Sequence, residues 1–248
     1  MLNKFRKIGT LLCVLLFLYQ VSRCLFFWIN KSHFEEMDLP TYGKIFIHSL
    51  RFDLSVIVAL NSLYFLLLLL PFSWVYTKRV QNGLSTLFLV VNAVALLFDI
   101  ADIAYYPYVR KRMHADVFEL LQKKSDFIDL LPSYSLTFWY VPILFIALLF
   151  LLYIVYKKIN TLYSFSDNLL TWKDGLYSMV FIVLSVIAIR GGWQLKPIMN
   201  SNALLVTTSK QSVLVLNTPF SILHSFGQTE FLVPTLYSKE EIVRTWHP

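Results

Sequence analysis

Six ionisable residues fall inside otherwise apolar stretches of this chain: Arg23, Arg51, Asp53, Asp99, Asp102 and Arg190. Charges in such surroundings are costly, so they face protein or a wet cavity and mark a structural network or a binding site. Asp99 and Asp102 share a helix face through i,i+3 spacing, and Asn92 and Tyr106 extend that face. Arg51 and Asp53, two apart, point to different sides of their helix and can serve two neighbours. Two chemistries fit. In one, arginines and aspartates pin several helices together through ion pairs and hydrogen bonds. In the other, they line a polar pocket for a lipid headgroup. Guanidinium would hold its phosphate bidentately, while the carboxylates orient the arginines or accept from headgroup hydroxyls.

The elements that must position these residues follow from composition. Of 248 residues, 57% are hydrophobic and 15% charged, whereas a soluble domain carries roughly a quarter charged residues. This excludes an ordinary water-soluble fold and disorder. Lys and Arg number 22 against 15 Asp and Glu, a net charge of +7. In so apolar a chain that excess faces anionic lipid rather than nucleic acid.

A membrane-spanning helix needs roughly 20 apolar residues. The expected fold is an all-α membrane protein with five transmembrane helices at 8–29, 45–71, 83–107, 135–156 and 175–190, the last continuing through Trp193. Lys4, Arg6 and Lys7 ahead of the first apolar run resemble a secretory signal, and Val21-Ser22-Arg23-Cys24 a lipoprotein cleavage box. Arg23 stands where a small residue is needed, however, and Leu25-Phe26-Phe27-Trp28-Ile29 prolongs the run, so the first helix is read as retained. Cys13 and Cys24 lie eleven residues apart. That is about 16 Å along a helix, too far for a disulfide.

Lys and Arg are about twice as dense in the pieces joined to the N-terminal side, eight in 36 residues against eleven in 100. This sets the expected orientation as N-inside and C-outside. The five deeper charges then lie about 8–12 Å below the outer helix ends at 1.5 Å per residue, with Arg190 at the boundary itself. Arg110, Lys111, Arg112, Trp193 and Lys196 are read as interfacial.

Residues 1–192 are expected to form the transmembrane domain. Within its outer face, 108–134 reads as an amphipathic helix, with Met113, Val117, Leu120, Leu121, Phe127, Ile128 and Leu131 on one side. It would lie in the headgroup layer or pack against another protein domain. Residues 193–248 have mixed polarity, a strand-like run at Ser212-Val213-Leu214-Val215-Leu216, and too little material for an independent core. They read as an extracytoplasmic connector. Gly191-Gly192 reads as a helix end. No metal or nucleophile motif occurs, and the five histidines are scattered.

Four stretches taken together resemble a known family. They are Arg51-Phe52-Asp53; Asp99-Ile100-Ala101-Asp102 with Tyr105-Tyr106 and Arg110-Lys111-Arg112; Arg190-Gly191-Gly192-Trp193-Gln194-Leu195-Lys196-Pro197-Ile198; and Val215-Leu216-Asn217-Thr218-Pro219-Phe220. Their order and spacing are similar to the membrane portion of lipoteichoic-acid-synthase-like proteins of the sulfatase and alkaline phosphatase superfamily, especially versions from Bacteroidetes-type bacteria. The resemblance implies a five-helix anchor in the bacterial cytoplasmic membrane, in contact with anionic phospholipid. It also implies an extracytoplasmic catalytic domain that uses a threonine nucleophile and a divalent metal, typically manganese, to transfer or hydrolyse a phospho-group. No position here matches those catalytic residues. The function expected is therefore a membrane anchor and lipid-substrate-presenting module, inactive by itself. The alternatives are a small transporter or flippase, and a purely structural scaffold.

Overall fold

The computed structural model describes residues 2–34, 37–70, 72–118, 137–163, 172–205 and 208–226. All regular structure among them is helical. The long helices are α1 (Leu2–Ile29), α2 (Leu39–Leu69), α3 (Lys78–Val109), α4 (Tyr140–Leu162) and α5 (Trp172–Arg190). Two short helices follow, α6 (Ser209–Val215) and α7 (Thr218–Leu223). Among the described residues, α1 to α4 are each long and apolar enough to cross a membrane, while the apolar part of α5, Gly175–Arg190, is shorter.

Helix α2 begins where Asp38 accepts the amide of Thr41 at 3.3 Å and Pro40 occupies the first turn, a combination that satisfies one orphan N–H and dispenses with another. Its 31 residues make it about 46 Å long, some 16 Å more than a hydrocarbon core. Helix α3 carries Pro107 in its last turn and stops at Arg110, whose φ of 60° reverses the chain. Proline has no N–H, so the carbonyl of Ile103 lacks its helical donor. The buried Asn30 amide replaces it at 3.2 Å and ties α1 to α3.

Helix α5 ends at Arg190 and does not continue through Trp193. Gly191 donates to Ala188 O and Gly192 to Ile187 O, both at 2.9 Å, the paired bonds of a Schellman cap. Gly191 has φ +79°, and a Cβ there would meet Ile198 at 2.6 Å, so both the turn and the packing require glycine. The sequence reading of Gly191-Gly192 as a helix end holds.

The core is one continuous cluster drawn from α1, α2 and α3 together with Leu148, Leu152, Tyr156 and Ile159 of α4. It reaches into the C-terminal segment through Ile198, Ala203, Leu214, Val215 and Phe220. The segment read as a connector therefore lies partly inside the bundle, with α6 and α7 packed against α2 and α3. The strand-like run at 212–216 is helix α6 in most of its length. With no neighbouring strand among the described residues, a buried backbone there must pair its own amides and carbonyls, which a helical turn does.

Of the amphipathic stretch, only 108–118 is described. Met113 and Val117 are buried against Phe98, Ala101, Tyr105 and Ile222, so they pack on the bundle. The chain leaves helix at Arg110 and resumes it only at Asp116. Leu120, Leu121, Phe127, Ile128 and Leu131 lie outside the described residues, as do 227–248.

Candidate functional site

Where α1, α3 and α5 end and α2 begins, the apolar core gives way to a buried charged seam. Arg23 is 3% exposed and donates from both Nη atoms to the two oxygens of Asp53, each at 2.7 Å. Asp53 also accepts from Gln20 Nε2 and Asn217 Nδ2, again at 2.7 Å. On α3, Asp99 accepts the Ser22 hydroxyl and the Thr218 amide, the latter at 3.1 Å. Asp102 accepts Arg112 Nη1 at 2.9 Å, the Thr218 hydroxyl at 2.8 Å and the Met113 amide at 3.0 Å.

The two short helices are what make this arrangement possible. The last carbonyls of any helix lack intrahelical donors, and its C-terminal end is electronegative. At the end of α6, Arg23 Nε donates to Leu214 O at 2.7 Å, and Arg112 Nε donates to Val213 O at 2.9 Å. The start of α7 is the opposite case, with spare N–H groups. Asn217 caps it by accepting the Phe220 amide at 2.8 Å, and Thr218 turns its amide and hydroxyl to the aspartates. The junction of α6 and α7 thus offers carbonyls to cations and donors to anions within five residues.

Packing completes the enclosure. The Arg112 guanidinium lies 3.7 Å from the Phe26 ring centroid, and Phe52 meets Phe220 edge-on at 5.1 Å. Tyr106 stacks on Phe34 at 5.4 Å, and deeper in the bundle Asn92 and Asn61 exchange amide hydrogen bonds.

The six residues singled out from sequence therefore divide. Arg23, Asp53, Asp99 and Asp102 meet in the seam. Arg51 and Arg190 do not: both are exposed and lie beside the turn after α5. Arg51 donates to Gly191 O and to Gln194 Oε1; Arg190 donates to Leu195 O and, at 3.2 Å, to Gln194 O. Arg51 and Asp53 do serve different neighbours, as their spacing requires.

Arg112 needs correction. It was read as interfacial, yet it is 2% exposed and is the second cation of the seam. Arg110 and Lys111 do stay at the surface, where Lys111 pairs with Asp116 at 2.7 Å. Trp193 is 87% exposed, and Lys196 is exposed beside it. The functional partners missed in sequence are Gln20, Ser22, Asn217 and Thr218. The available signal was the Asn-Thr-Pro run, which places a capping residue and a first-turn proline at the start of a helix.

The aspartates do not suit a metal ion. Each oxygen of Asp53, Asp99 and Asp102 already accepts from a guanidinium, amide or hydroxyl, leaving no open carboxylate edge. Among the described residues no three His, Cys, Asp or Glu side chains converge as a metal site. Among the described residues none fits the manganese implied by the resemblance.

Fold and seam together describe a helical bundle suited to a membrane, with a C-terminal segment locked into its charged end. Comparison with protein-family models, characterised proteins and solved structures finds no match.

Proposed function

We propose that this chain is the membrane anchor and lipid-substrate-presenting module of an extracytoplasmic phosphotransferase or hydrolase of the lipoteichoic-acid-synthase-like type. In this reading α5 is the fifth span, with the N-terminus inside, the charged end outside, and the bundle in a bacterial cytoplasmic membrane. The catalytic chemistry would belong to an extracytoplasmic domain using a divalent metal.

One observation carries the reading. The four stretches that prompted the family resemblance, far apart in sequence, contact one another. Arg51 meets Gly191 and Gln194, Asp53 meets Asn217, Phe52 meets Phe220, and Asp99 and Asp102 meet Thr218. That the four stretches meet supports reading them as one unit. A C-terminal segment hydrogen-bonded to α1, α2 and α3 at the charged end of the bundle also supports a presenting role.

The test is the genomic reading frame that contains these codons. Expressed whole in phosphatidylglycerol proteoliposomes, it is expected to release glycerophosphate with manganese and to stop on chelation. A reading frame lacking any such domain would replace this reading with the scaffold or the transporter, and proteoliposome ion or lipid flux sensitive to Asp99→Asn and Asp102→Asn would select the transporter.

A further inference from the structure

We infer that His114 and Asn200 form a proton-operated clamp, which holds the C-terminal segment to the turn after α3 more tightly when the imidazole is charged. The clamp stands on side-chain geometry and needs no catalysis. Its sensing of exterior rather than cytoplasmic pH is the one part that rests on the orientation proposed above.

The two sides of the clamp are far apart in sequence. His114 belongs to the stretch that follows the left-handed turn at Arg110, where Met113 and Val117 pack against α3 and Ile222. Asn200 opens the short turn Asn200–Leu205 beyond α5. His114 Nδ1 lies 2.6 Å from Arg112 O. A carbonyl only accepts, so Nδ1 carries a hydrogen and the neutral ring has a bare Nε2. Asn200 Nδ2 stands 3.5 Å from that Nε2 and 3.4 Å from Ser221 O, both at the long limit for a hydrogen bond. Meanwhile Asn200 Oδ1 is buried without a partner among the described residues. The hydroxyl of Ser221, a residue with no exposed surface, has none either. Buried polar atoms left in this way are destabilising.

Protonation removes the mismatch. The charged ring gains a hydrogen on Nε2, and Asn200 Oδ1 accepts it once the amide turns over. The turned Nδ2 leaves Ser221 O and takes Ser221 Oγ on the same residue. Two long contacts are exchanged for a charge-assisted bond and a partner for a stranded hydroxyl. The charged and titratable groups on the surrounding elements are Arg110, Lys111, Arg112 and Asp116 beside the ring, Asp99, Asp102 and Tyr105 on α3, Lys210 on α6 and His224 after α7. Among the described residues no carboxylate lies within ion-pair distance of His114. Asp116 pairs with Lys111, and Asp99 and Asp102 with Arg112. The acceptor for the new N–H is therefore the Asn200 amide. Two contacts that do not titrate already hold the same stretch, Ala115 N to Ser225 Oγ at 2.8 Å and Arg112 Nε to Val213 O at 2.9 Å. The proton tightens an existing junction.

Hydrogen–deuterium exchange of the purified chain in nanodiscs reads the clamp through the amides of 198–226, each rate divided by its intrinsic rate at the same pH. Wild type is expected to gain about tenfold protection there between about pH 8 and about pH 5, the scale of one charge-assisted hydrogen bond across the imidazole range. His114→Gln, which cannot charge, and Asn200→Leu, which offers no acceptor, should each abolish the gain and leave the amides of α2 as protected as before. His224→Gln should keep it, which separates the clamp from the neighbouring imidazole. A wild type without the gain overturns the clamp, as does a gain that survives in His114→Gln or in Asn200→Leu. Should either variant loosen the segment at both pH values, Asn200→Asp decides. Its carboxylate accepts from the charged ring without turning over, so its gain should exceed that of wild type, and an equal or smaller gain overturns the clamp. None of these readings depends on phosphotransfer, so the clamp and the enzyme reading stand or fall separately.

Discussion

Arg23 and Arg112 differ from Arg51 and Arg190 in everything except side-chain type. The first two are buried and aimed at carboxylates and helix-end carbonyls. The second two are exposed and bonded only to neutral oxygens a few residues apart. A buried guanidinium must be fully paired, because an uncompensated charge in a low-dielectric core costs several kcal/mol. An exposed one keeps its charge available. The same residue type therefore fastens the bundle through carboxylates in one place and only braces a surface turn in the other, and burial decides which.

That contrast can be broken or sharpened by substitution. The largest effect is expected from Arg23→Ala, which strands Asp53: about 3–5 kcal/mol of stability should be lost, measured by thermal unfolding in detergent. Gly191→Ala comes next. Its positive φ and the clash with Ile198 should cost about 2 kcal/mol or more, and helix α5 should lose its cap. Thr218→Val keeps the shape but removes the hydroxyl from Asp102, for an expected loss of about 1–3 kcal/mol. Arg51→Ala should cost no more than about 1 kcal/mol, since it breaks only hydrogen bonds to neutral, partly solvated acceptors. If Arg51→Ala proved as damaging as Arg23→Ala, the division between the two pairs would fail.

The smallest effect concerns pH. His224 lies face to face with Phe220 at 3.9 Å, and burial holds its pKa below the ordinary imidazole value of 6.5. The folded state thus disfavours the charged ring. Its contribution is fully present above about pH 6.5 and fades as pH falls from there towards the depressed folded value. His224→Gln should flatten that shallow slope in an unfolding titration between pH 7 and 5.

The fold was legible where hydrophobic runs are long. α1 to α4 announce themselves by composition, and Asp99 with Asp102 by spacing. Helix α5 was legible only in part, because its cap falls at Gly191 and the apolar Trp193 beyond it mimics a continuing span. Arg112 was misplaced for a different reason. Next to Arg110 and Lys111 it looks like the third member of a surface cluster, and only the left-handed turn at Arg110 swings it inward. α6 was hidden because Val-Leu-Val-Leu alternation favours strands locally, while its last carbonyls are met by two arginines, Arg23 on α1 and Arg112 after α3, that donate to them from 100 residues or more away. Non-local partners of that kind leave no trace in a window of neighbouring residues.

The seam also imposes an order on synthesis. Thr218 is made 116 residues after Asp102, and Leu214 is made 191 after Arg23. At about 5–20 residues per second, a nascent chain holds Asp99 and Asp102 for roughly 6–25 seconds without Thr218, with Ser22, Arg112 and Met113 already made to partner them. Through that interval the helix ends depend on the arginines alone to neutralise their carboxylates. A chain halted before the Asn-Thr-Pro turn would lack the Thr218 and Asn217 donors and keep only the earlier partners of its three aspartates.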